Sequence, residues 1–167
     1  MNPPLRDAPH RAALWAAVRS RVVDVVGSDH APHTLEEKTV PYPGSPSGMP
    51  GVQTLLPLLL NHVHAGRLSL ERVVDLTSAG PARVFGIAGK GRIEEGLDAD
   101  LVLVDLARRQ TLTHAMMRSR CGWTPFDGLE VTGWPVATLL RGQIVMREGE
   151  ILGPARGEPL RFAPPAG

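Results

Sequence analysis

The order of apolar and polar positions predicts helices in the first half of the chain. These helices cover residues 7–21, residues 52–65, a segment that Ser69 caps, and residues 78–85. Between the first two helices, the β-branched run of residues 22–26 ends at Gly27, which predicts a strand that is buried on both faces. Residues 28–51 follow with five prolines and three glycines, and a loop of that length in a compact domain is usually functional.

The second half of the chain has a β pattern instead. Short strands are predicted at residues 92–93, 100–105, 110–113, 137–141, 143–147 and 151–152. Two-residue hairpin turns are predicted at Arg141-Gly142 and at Glu148-Gly149. The pattern therefore predicts an α/β fold in two domains, residues 1–86 and residues 87–167.

Charge excludes one large class of partner. The 167 residues include 18 Lys and Arg against 17 Asp and Glu, so the net charge of +1 leaves no basic surplus for nucleic acid. Trp123, Phe126 and Trp134 are therefore interpreted as packing around a proline-rich turn rather than as residues that stack on bases. We expect no nucleic-acid partner.

Cysteine content and the length of apolar runs bear on the cellular location. The single Cys121 excludes an internal disulfide and a cysteine-based zinc cluster, and it fits a reducing compartment. The longest apolar run, Leu55–Leu60, is far shorter than the roughly 20 residues that span a bilayer. The first residues lack the apolar core of a signal peptide. We therefore expect a cytoplasmic protein without a membrane partner.

The segment Gly27–Thr34 directly follows the predicted strand and holds the residues best suited to catalysis. In α/β barrels, residues at the C-terminal end of a strand line the active site. The carboxylate of Asp29 at such a place can bind a metal ion and accept the proton of a metal-bound water. Asp and His are also common turn residues, so a turn-capping Asp29 with two surface histidines explains the segment equally well on chemistry alone.

The segment Ser28–His33, with the sequence Ser-Asp-His-Ala-Pro-His, resembles the strand-eight motif of dihydroorotases, within the cyclic amidohydrolase superfamily. Asn2–Arg6 and Ser45–Gly51 resemble the substrate-binding segment and the later part of the active-site loop in that family. Thr77–Gly86 and Gly91–Val102 resemble the closing helix and the first returning strand of the superfamily. The resemblance implies the C-terminal part of a metal-dependent (β/α)8 amidohydrolase barrel, followed by part of a small β-sandwich.

The same resemblance implies roles for individual residues. Asp29 matches the metal-ligand carboxylate that also acts as general base and then as general acid to the leaving amide nitrogen. The residues implied to bind the ring and carboxylate of dihydroorotate are Asn2 and His33, and those implied to contact the substrate largely through their backbone are Ser47 and Gly48. His30 is expected to be structural.

The resemblance also implies a pair of zinc ions, held by a His-x-His pair, a bridging carboxylated Lys, two further His and Asp29. In the family every ligand except the Asp comes from earlier strands, so we expect a fragment that is inactive alone. His62-Val-His64 has the His-x-His spacing, but it lies in a predicted helix, where residues i and i+2 point to different sides. Lys38 and Lys90 do not lie at predicted strand ends, so neither is a good bridging ligand.

The function that the resemblance implies is the reversible hydrolysis of dihydroorotate to N-carbamoyl-L-aspartate in pyrimidine biosynthesis. Two alternatives stay open: another cyclic amidohydrolase, for a hydantoin or allantoin, and a non-catalytic dihydroorotase-like scaffold for a partner such as aspartate transcarbamoylase. Asn2 and His33 favour a ring that bears a carboxylate, and the presence of Asp29 and His33 counts against a scaffold. An open strand edge and an exposed apolar helix over residues 52–65 further predict either self-association as a homo-oligomer or dependence on the missing part of the enzyme.

Overall fold

The computed structural model describes residues 2–4 and 6–163; Leu5 of the segment Asn2–Arg6 and the last four residues of the predicted second domain lie outside the described residues. The helices are α1 (Ala8–Arg19), α2 (Leu35–Thr39), α3 (Leu55–His64), α4 (Leu70–Val74) and α5 (Gly80–Phe85), with a π-helical turn (Asp75–Ala79) between the last two. The strands are β1 (Leu101–Thr111), β2 (Glu130–Leu140), β3 (Gln143–Arg147) and β4 (Glu150–Ile151), with a 3-10 turn (His114–Met116) after β1. None of the described helices is long and apolar enough to cross a membrane.

The predicted helices are present, with ends that differ by a few residues. α1 begins after Asp7, as predicted. α3 begins later than predicted because residues 52–54 form a turn. Ser69 caps α4 as predicted, since its Oγ accepts a hydrogen bond from the Arg72 N–H at 3.2 Å. The helix predicted at residues 78–85 is the end of a longer helical stretch that begins with α4.

The π-helical turn presents a carbonyl group to the segment that follows α1. The Gly80 N–H donates to the Asp75 carbonyl, one residue farther back than in an α-helix. Pro81 has no N–H, so the Leu76 carbonyl lacks a donor five residues ahead in the helix. That carbonyl accepts the Val26 N–H at 3.2 Å instead, which holds the preceding segment against the helix.

Residues 22–27, here named the lead-in segment, are extended, but the prediction of a strand buried on both faces is wrong. Val22 is 74% exposed, and the described residues place no paired strand beside this segment. A parallel strand is buried on both faces only where other strands flank it and helices cover both sides of the sheet. Here the recorded hydrogen bonds and the ion pair of the segment go to residues of the helical stretches.

Arg72 fastens the lead-in segment to α4. Its side chain is only 6% exposed. Nε donates to the Val18 carbonyl at 2.8 Å, one Nη donates to the Val23 carbonyl, and the other pairs with the Asp75 carboxylate. Because each nitrogen of this buried guanidinium group has a hydrogen-bond acceptor, Arg72 fixes the direction in which the chain leaves α1.

The four strands form one antiparallel sheet in chain order. Arg141 and Gly142 have φ values of +47° and +78°, and Glu148 and Gly149 have φ values of +50° and +82°. Two successive left-handed residues are what a type I′ turn requires, so both predicted hairpin turns are confirmed. The strands predicted at residues 100–105 and 110–113 are parts of the single strand β1.

The strand predicted at residues 92–93 is wrong. Ile93 is 88% exposed and lies outside the sheet. Gly91 and Gly96 have φ values of +98° and +87°, so the chain turns on both sides of Ile93 and does not extend into a strand.

The helices and the sheet share a core because α3 packs on β2. Leu60 of α3 and Val131 of β2 are almost fully buried. A Cβ added to Gly133 would stand 2.7 Å from the Leu60 Cβ, so this glycine allows the close approach. The Asn61 side-chain carbonyl accepts the Thr132 N–H at 3.1 Å and fixes the register. The expectation of an exposed apolar helix over residues 52–65 is therefore wrong, since the sheet covers it.

Candidate functional site

Asp29 lies where the lead-in segment ends. Its φ value of +45° is left-handed, a conformation that Asp tolerates better than most residues with a Cβ. Asp29 is exposed, and its carboxylate makes no hydrogen bond or ion pair within the described residues. The carboxylate is therefore available to a ligand or to a reacting water.

His30 joins the start of the 28–51 loop to its end. It forms a parallel bridge with Met49, and its Nδ1 accepts the N–H groups of Gly51 at 3.0 Å and Val52 at 3.3 Å. The next residue, Ala31, donates its N–H to the Met49 carbonyl at 3.0 Å. An acceptor at Nδ1 requires the neutral ring with its proton on Nε2, so His30 has the structural role expected of it.

Two glycines let these two ends of the loop lie in contact. Gly48 is buried with a φ value of +102°, and an added Cβ would overlap the Cβ of Ala31. An added Cβ at Gly51 would stand 2.8 Å from the Ser28 carbonyl oxygen. Ser47, next to Gly48, is exposed. The fold therefore brings Ser47 and Gly48 beside the segment that holds Asp29 and His33.

His33 is held by its side chain and by its carbonyl. Its Nδ1 lies 3.3 Å from the Glu37 Oε2, and the same oxygen accepts the Thr34 N–H at 2.9 Å as part of a capping box on α2. The Trp123 Nε1 donates to the His33 carbonyl at 2.8 Å. These contacts use Nδ1 and leave Nε2 as the ring atom that can face a ligand.

Hydrogen bonds within the 28–51 loop hold its middle part in place. The Lys38 Nζ donates to the Pro46 carbonyl at 2.6 Å, and the Ser45 hydroxyl donates to the Lys38 carbonyl at 3.3 Å. Residues 35–39 form the short helix α2 within this loop. Lys38 thus holds two parts of the loop together, which is consistent with the expectation that it is not a bridging metal ligand.

Asn2 is not brought to the loop. It is exposed, and no hydrogen bond joins it to the 28–51 loop within the described residues. Its role as a substrate ligand stays a prediction.

A complete metal site is not formed by the residues that the structure describes. No group of three or more His, Cys, Asp or Glu side chains among them is placed to hold a metal ion. The ring of His62 packs on that of Trp15, whereas His64 is exposed, which confirms that these two histidines do not converge. Tight zinc sites use three or four protein ligands, so Asp29 alone does not fit one.

Lys90, the other lysine, is committed to two carboxylates. Its Nζ lies 2.9 Å from the Asp98 Oδ2 and also pairs with Asp100. The hydrogen bonds that Lys90 donates to Asp100 and, to a lesser degree, to Asp98 raise the pKa of Lys90. A charged lysine between two carboxylates stabilises the turn before β1.

Sequence reasoning missed two long-range contacts, one that holds the loop through Trp123 and one that joins Gln53, just after the loop, to residues 116–118. Trp123 was expected only to pack, and it is buried, yet its indole N–H also holds the His33 carbonyl. Gln53 donates to the Met116 carbonyl at 2.8 Å and accepts the Arg118 N–H at 2.9 Å. A buried Trp needs an acceptor for its N–H, but its sequence position does not say which acceptor it finds.

Relatives with curated names are similar to most of this chain. A model of the amidohydrolase family matches residues 3–145. The dihydroorotase of Halobacterium salinarum is 51% identical over 145 residues, which are 87% of this chain and 34% of the relative. The dihydroorotase of Pyrococcus furiosus is 42% identical over 156 residues, which are 93% of this chain and 36% of the relative. The chain thus spans about a third of the length of the curated relatives that it matches.

Solved structures share the fold. The L-hydantoinase (dihydropyrimidinase) of Arthrobacter aurescens matches with a TM-score of 0.84 at 40% identity, over 90% of this chain and 35% of that one. The D-hydantoinase (dihydropyrimidinase) of a Thermus species matches with a TM-score of 0.87 at 34% identity, over 92% of this chain and 35% of that one. With a family model that covers residues 3–145, these similarities show that the chain belongs to the amidohydrolase family.

Proposed function

We propose that this chain is the C-terminal part of a dihydroorotase, which as a whole hydrolyses dihydroorotate reversibly to N-carbamoyl-L-aspartate in pyrimidine biosynthesis. The observation that carries the proposal is the 51% identity to a dihydroorotase over 145 residues. That stretch is long enough to include the 28–51 loop, with its exposed Asp29 carboxylate and its anchored His33.

Residues 1–86 supply the last strand, its loop and the flanking helices of a (β/α)8 barrel in this proposal, and residues 87–167 supply part of a β-sandwich. The lead-in segment supports it, because an extended and apolar stretch with an exposed Val22 suits a barrel strand whose neighbours come from elsewhere. The antiparallel sheet β1–β4 supports the second part.

The proposed chemistry places Asp29 at the proton transfers. Its carboxylate accepts a proton from the attacking water as the oxygen bonds to the amide carbon. It then gives that proton to the ring nitrogen as the carbon–nitrogen bond breaks, so the base of the first step is the acid of the second. An exposed carboxylate without a competing partner is suited to both steps.

Substrate recognition falls to residues on both sides of Asp29. His33, with Nδ1 engaged by Glu37, presents Nε2 to the ring or carboxylate of the substrate. Ser47 and Gly48 offer backbone groups at the end of the same loop. Asn2 would have to approach the substrate from the segment before α1, since no hydrogen bond joins it to the loop within the described residues. Gly48 adopts its positive φ without strain, and its missing Cβ lets its backbone lie against the side chain of Ala31.

A pair of zinc ions would, if bound in the whole enzyme, supply Lewis-acid chemistry at the scissile amide, and Asp29 would be one of their ligands. The described residues do not fit such a pair, because they offer Asp29 and no converging partners. The ions therefore need ligands from outside the described residues, and we expect this chain alone to be inactive.

A second candidate function is a hydantoinase-like activity on a ring without a carboxylate. The TM-scores of 0.84 and 0.87 to two hydantoinases favour it. The identity to those structures, 40% and 34%, is lower than the 51% to a dihydroorotase, so we rank it second. A non-catalytic scaffold is ranked third, because a scaffold has no use for an unpaired carboxylate at Asp29.

Partners and location are part of the same proposal. We expect a cytoplasmic enzyme that forms a homo-oligomer through the open side of the lead-in segment, with aspartate transcarbamoylase as a further partner. Sedimentation of this chain with and without added aspartate transcarbamoylase distinguishes a monomer, a homo-oligomer and a mixed complex.

The test is a fused enzyme, in which this chain follows the N-terminal two thirds of the Pyrococcus furiosus dihydroorotase. Steady-state hydrolysis is measured with dihydroorotate, hydantoin and allantoin under the same conditions. We expect a kcat/KM for dihydroorotate about 10- to 100-fold above the other two, because loss of a charge-assisted hydrogen bond costs roughly that much. A preference for hydantoin would select the second function, and no hydrolysis by a folded fusion would favour the scaffold.

A further inference from the structure

A wide cleft lies between α1 and the C-terminal end of α3, with a volume of about 810 Å³. Arg11, Trp15 and Arg19 follow one another at intervals of four along α1, so they lie on the same face of the helix. His62 and Arg67 line the opposite wall. The Arg67 N–H donates to the His62 carbonyl at 2.9 Å, which fixes the turn that presents Arg67.

The floor of this cleft is aromatic. The rings of Trp15 and His62 meet edge to face, with their centroids 4.5 Å apart. Burial, together with the charge of Arg67, lowers the pKa of His62, so the ring is neutral at pH 7 and packs as an aromatic group. Ala8 and Ala12 on α1 leave room above this floor.

The walls of the cleft are cationic and not neutralised. Arg11, Arg19 and Arg67 form no ion pair with any residue that the structure describes. The nearby carboxylates are already used, Asp7 by His10 and Asp75 by other arginines. A second cleft of about 440 Å³ shares Arg19 and Arg67, which extends the cationic surface towards α4.

We propose that this cleft binds a small molecule that carries several phosphate groups and a flat ring, as a nucleoside polyphosphate does. Guanidinium groups bind phosphate oxygens in pairs, and three of them match a ligand of several negative charges better than a single carboxylate. The volume lies in the range of small-molecule sites, and the aromatic floor offers a surface for the ring. None of the lining residues belongs to the 28–51 loop, so this site is separate from the proposed catalytic one.

The test uses this chain as it is, with tripolyphosphate and ATP as two probes in isothermal titration calorimetry at low salt. We expect both probes to bind, ATP more tightly because of its ring, and both more weakly as salt is added. Arg11→Ala, Arg19→Ala and Arg67→Ala should each weaken tripolyphosphate binding about tenfold or more, a change typical of a lost charge-assisted hydrogen bond. Trp15→Phe should weaken ATP binding more than tripolyphosphate binding.

Arg109→Ala is the matched control, because Arg109 is an exposed arginine of β1 that pairs with Glu130 and lies outside the cleft. It should leave both affinities unchanged, and circular dichroism shows that each variant is folded. Absence of binding by both probes at millimolar concentration overturns the proposal. An equal loss in Arg109→Ala and in the cleft variants also overturns it, since binding would then follow net charge alone.

Discussion

The 28–51 loop and the lead-in segment adjoin each other in the chain, but they are stabilised in different ways. The loop is held largely by its own residues, since Lys38 donates to the Pro46 carbonyl and the His30 Nδ1 accepts hydrogen bonds from two N–H groups at the end of the loop. Trp123 adds one hydrogen bond from outside, to the His33 carbonyl. The lead-in segment relies on helices, through Arg72 and through the Leu76 carbonyl, and it leaves Val22 exposed.

This difference separates specificity from catalysis in the proposed enzyme. A loop that holds its shape through local contacts can carry the residues for substrate recognition in a short stretch of chain. A barrel strand gains its burial and its catalytic partners from other strands. Asp29 lies at the junction of the two, so its chemistry needs both.

The largest effect is expected from Asp29→Asn in the fused enzyme. The change keeps the shape of the side chain and removes the proton acceptor, and general acid–base groups typically contribute 10²–10⁴-fold. We predict a loss of kcat of at least about 10³-fold, measured by steady-state hydrolysis of dihydroorotate, with the circular dichroism spectrum unchanged.

The control for this variant is His64→Ala, since His64 is exposed on α3 and lies outside the loop. It should retain nearly full turnover, and His62→Ala should behave likewise. If His62→Ala abolished turnover while Asp29→Asn kept it, the catalytic base would have been assigned to the wrong residue.

The next effect is on folding, and it tests how the lead-in segment is held. Arg72→Ala removes a buried charge from the Asp75 carboxylate and leaves the Val18 and Val23 carbonyls without their donor. We predict a loss of about 3–5 kcal/mol in the free energy of unfolding, measured by urea denaturation. Arg83→Ala is the control: Arg83 also pairs with Asp75 but is 58% exposed, so it should cost less than about 1 kcal/mol. Equal losses in the two variants contradict this account.

Substitutions at two glycines test whether the close contact at Gly48 stabilises the loop. Gly48→Ala puts a Cβ into Ala31 at a left-handed residue, and strain of this kind costs about 1–3 kcal/mol. We predict a lower free energy of unfolding in this chain and a higher KM in the fused enzyme. Gly27→Ala is the matched control in the lead-in segment, since an added Cβ there meets no atom within 4 Å. A Gly48→Ala variant as stable as Gly27→Ala would show that the loop does not need this contact.

A smaller effect is expected where the segment between β1 and β2 anchors the loop. In the fused enzyme, His33→Ala should raise the KM for dihydroorotate about 10- to 100-fold with little change in kcat, because its partner is the substrate. Trp123→Phe keeps the aromatic packing and removes only the N–H to the His33 carbonyl, which is worth about 1 kcal/mol and a KM increase of about fivefold. An unchanged KM in Trp123→Phe would show that Trp123 contributes through packing and not through its hydrogen bond to the loop.

Local patterns were sufficient for much of the fold. The left-handed turns at Arg141-Gly142 and Glu148-Gly149, the cap at Ser69 and the helical placement of His62 and His64 depend on residues close in the chain, and the structure confirms them. The motif around Asp29 likewise pointed to the amidohydrolase family, to which the chain belongs.

Contacts between distant residues account for what the sequence left unpredicted. The β-branched run of residues 22–26 predicts that Val22 is buried, but this burial depends on strands that the described residues do not provide. The exposure expected of α3 was wrong because Gly133, seventy-three residues after Leu60, allows β2 to pack on it. The bond from Trp123 to the His33 carbonyl spans ninety residues, and no local pattern marks such a pair.

The most direct test of the central comparison is hydrogen–deuterium exchange of backbone amides in this chain alone and in the fused enzyme. In this chain alone, the bonded amides of Ala31 and Gly51 should be protected, whereas those of Asp24 and Val25 should exchange rapidly. In the fused enzyme, the amides of Asp24 and Val25 should become protected as the neighbouring strand pairs with them, while those of the loop change little. Rapid exchange of the loop amides in this chain alone, or unchanged exchange at Asp24 and Val25 after fusion, would contradict the account.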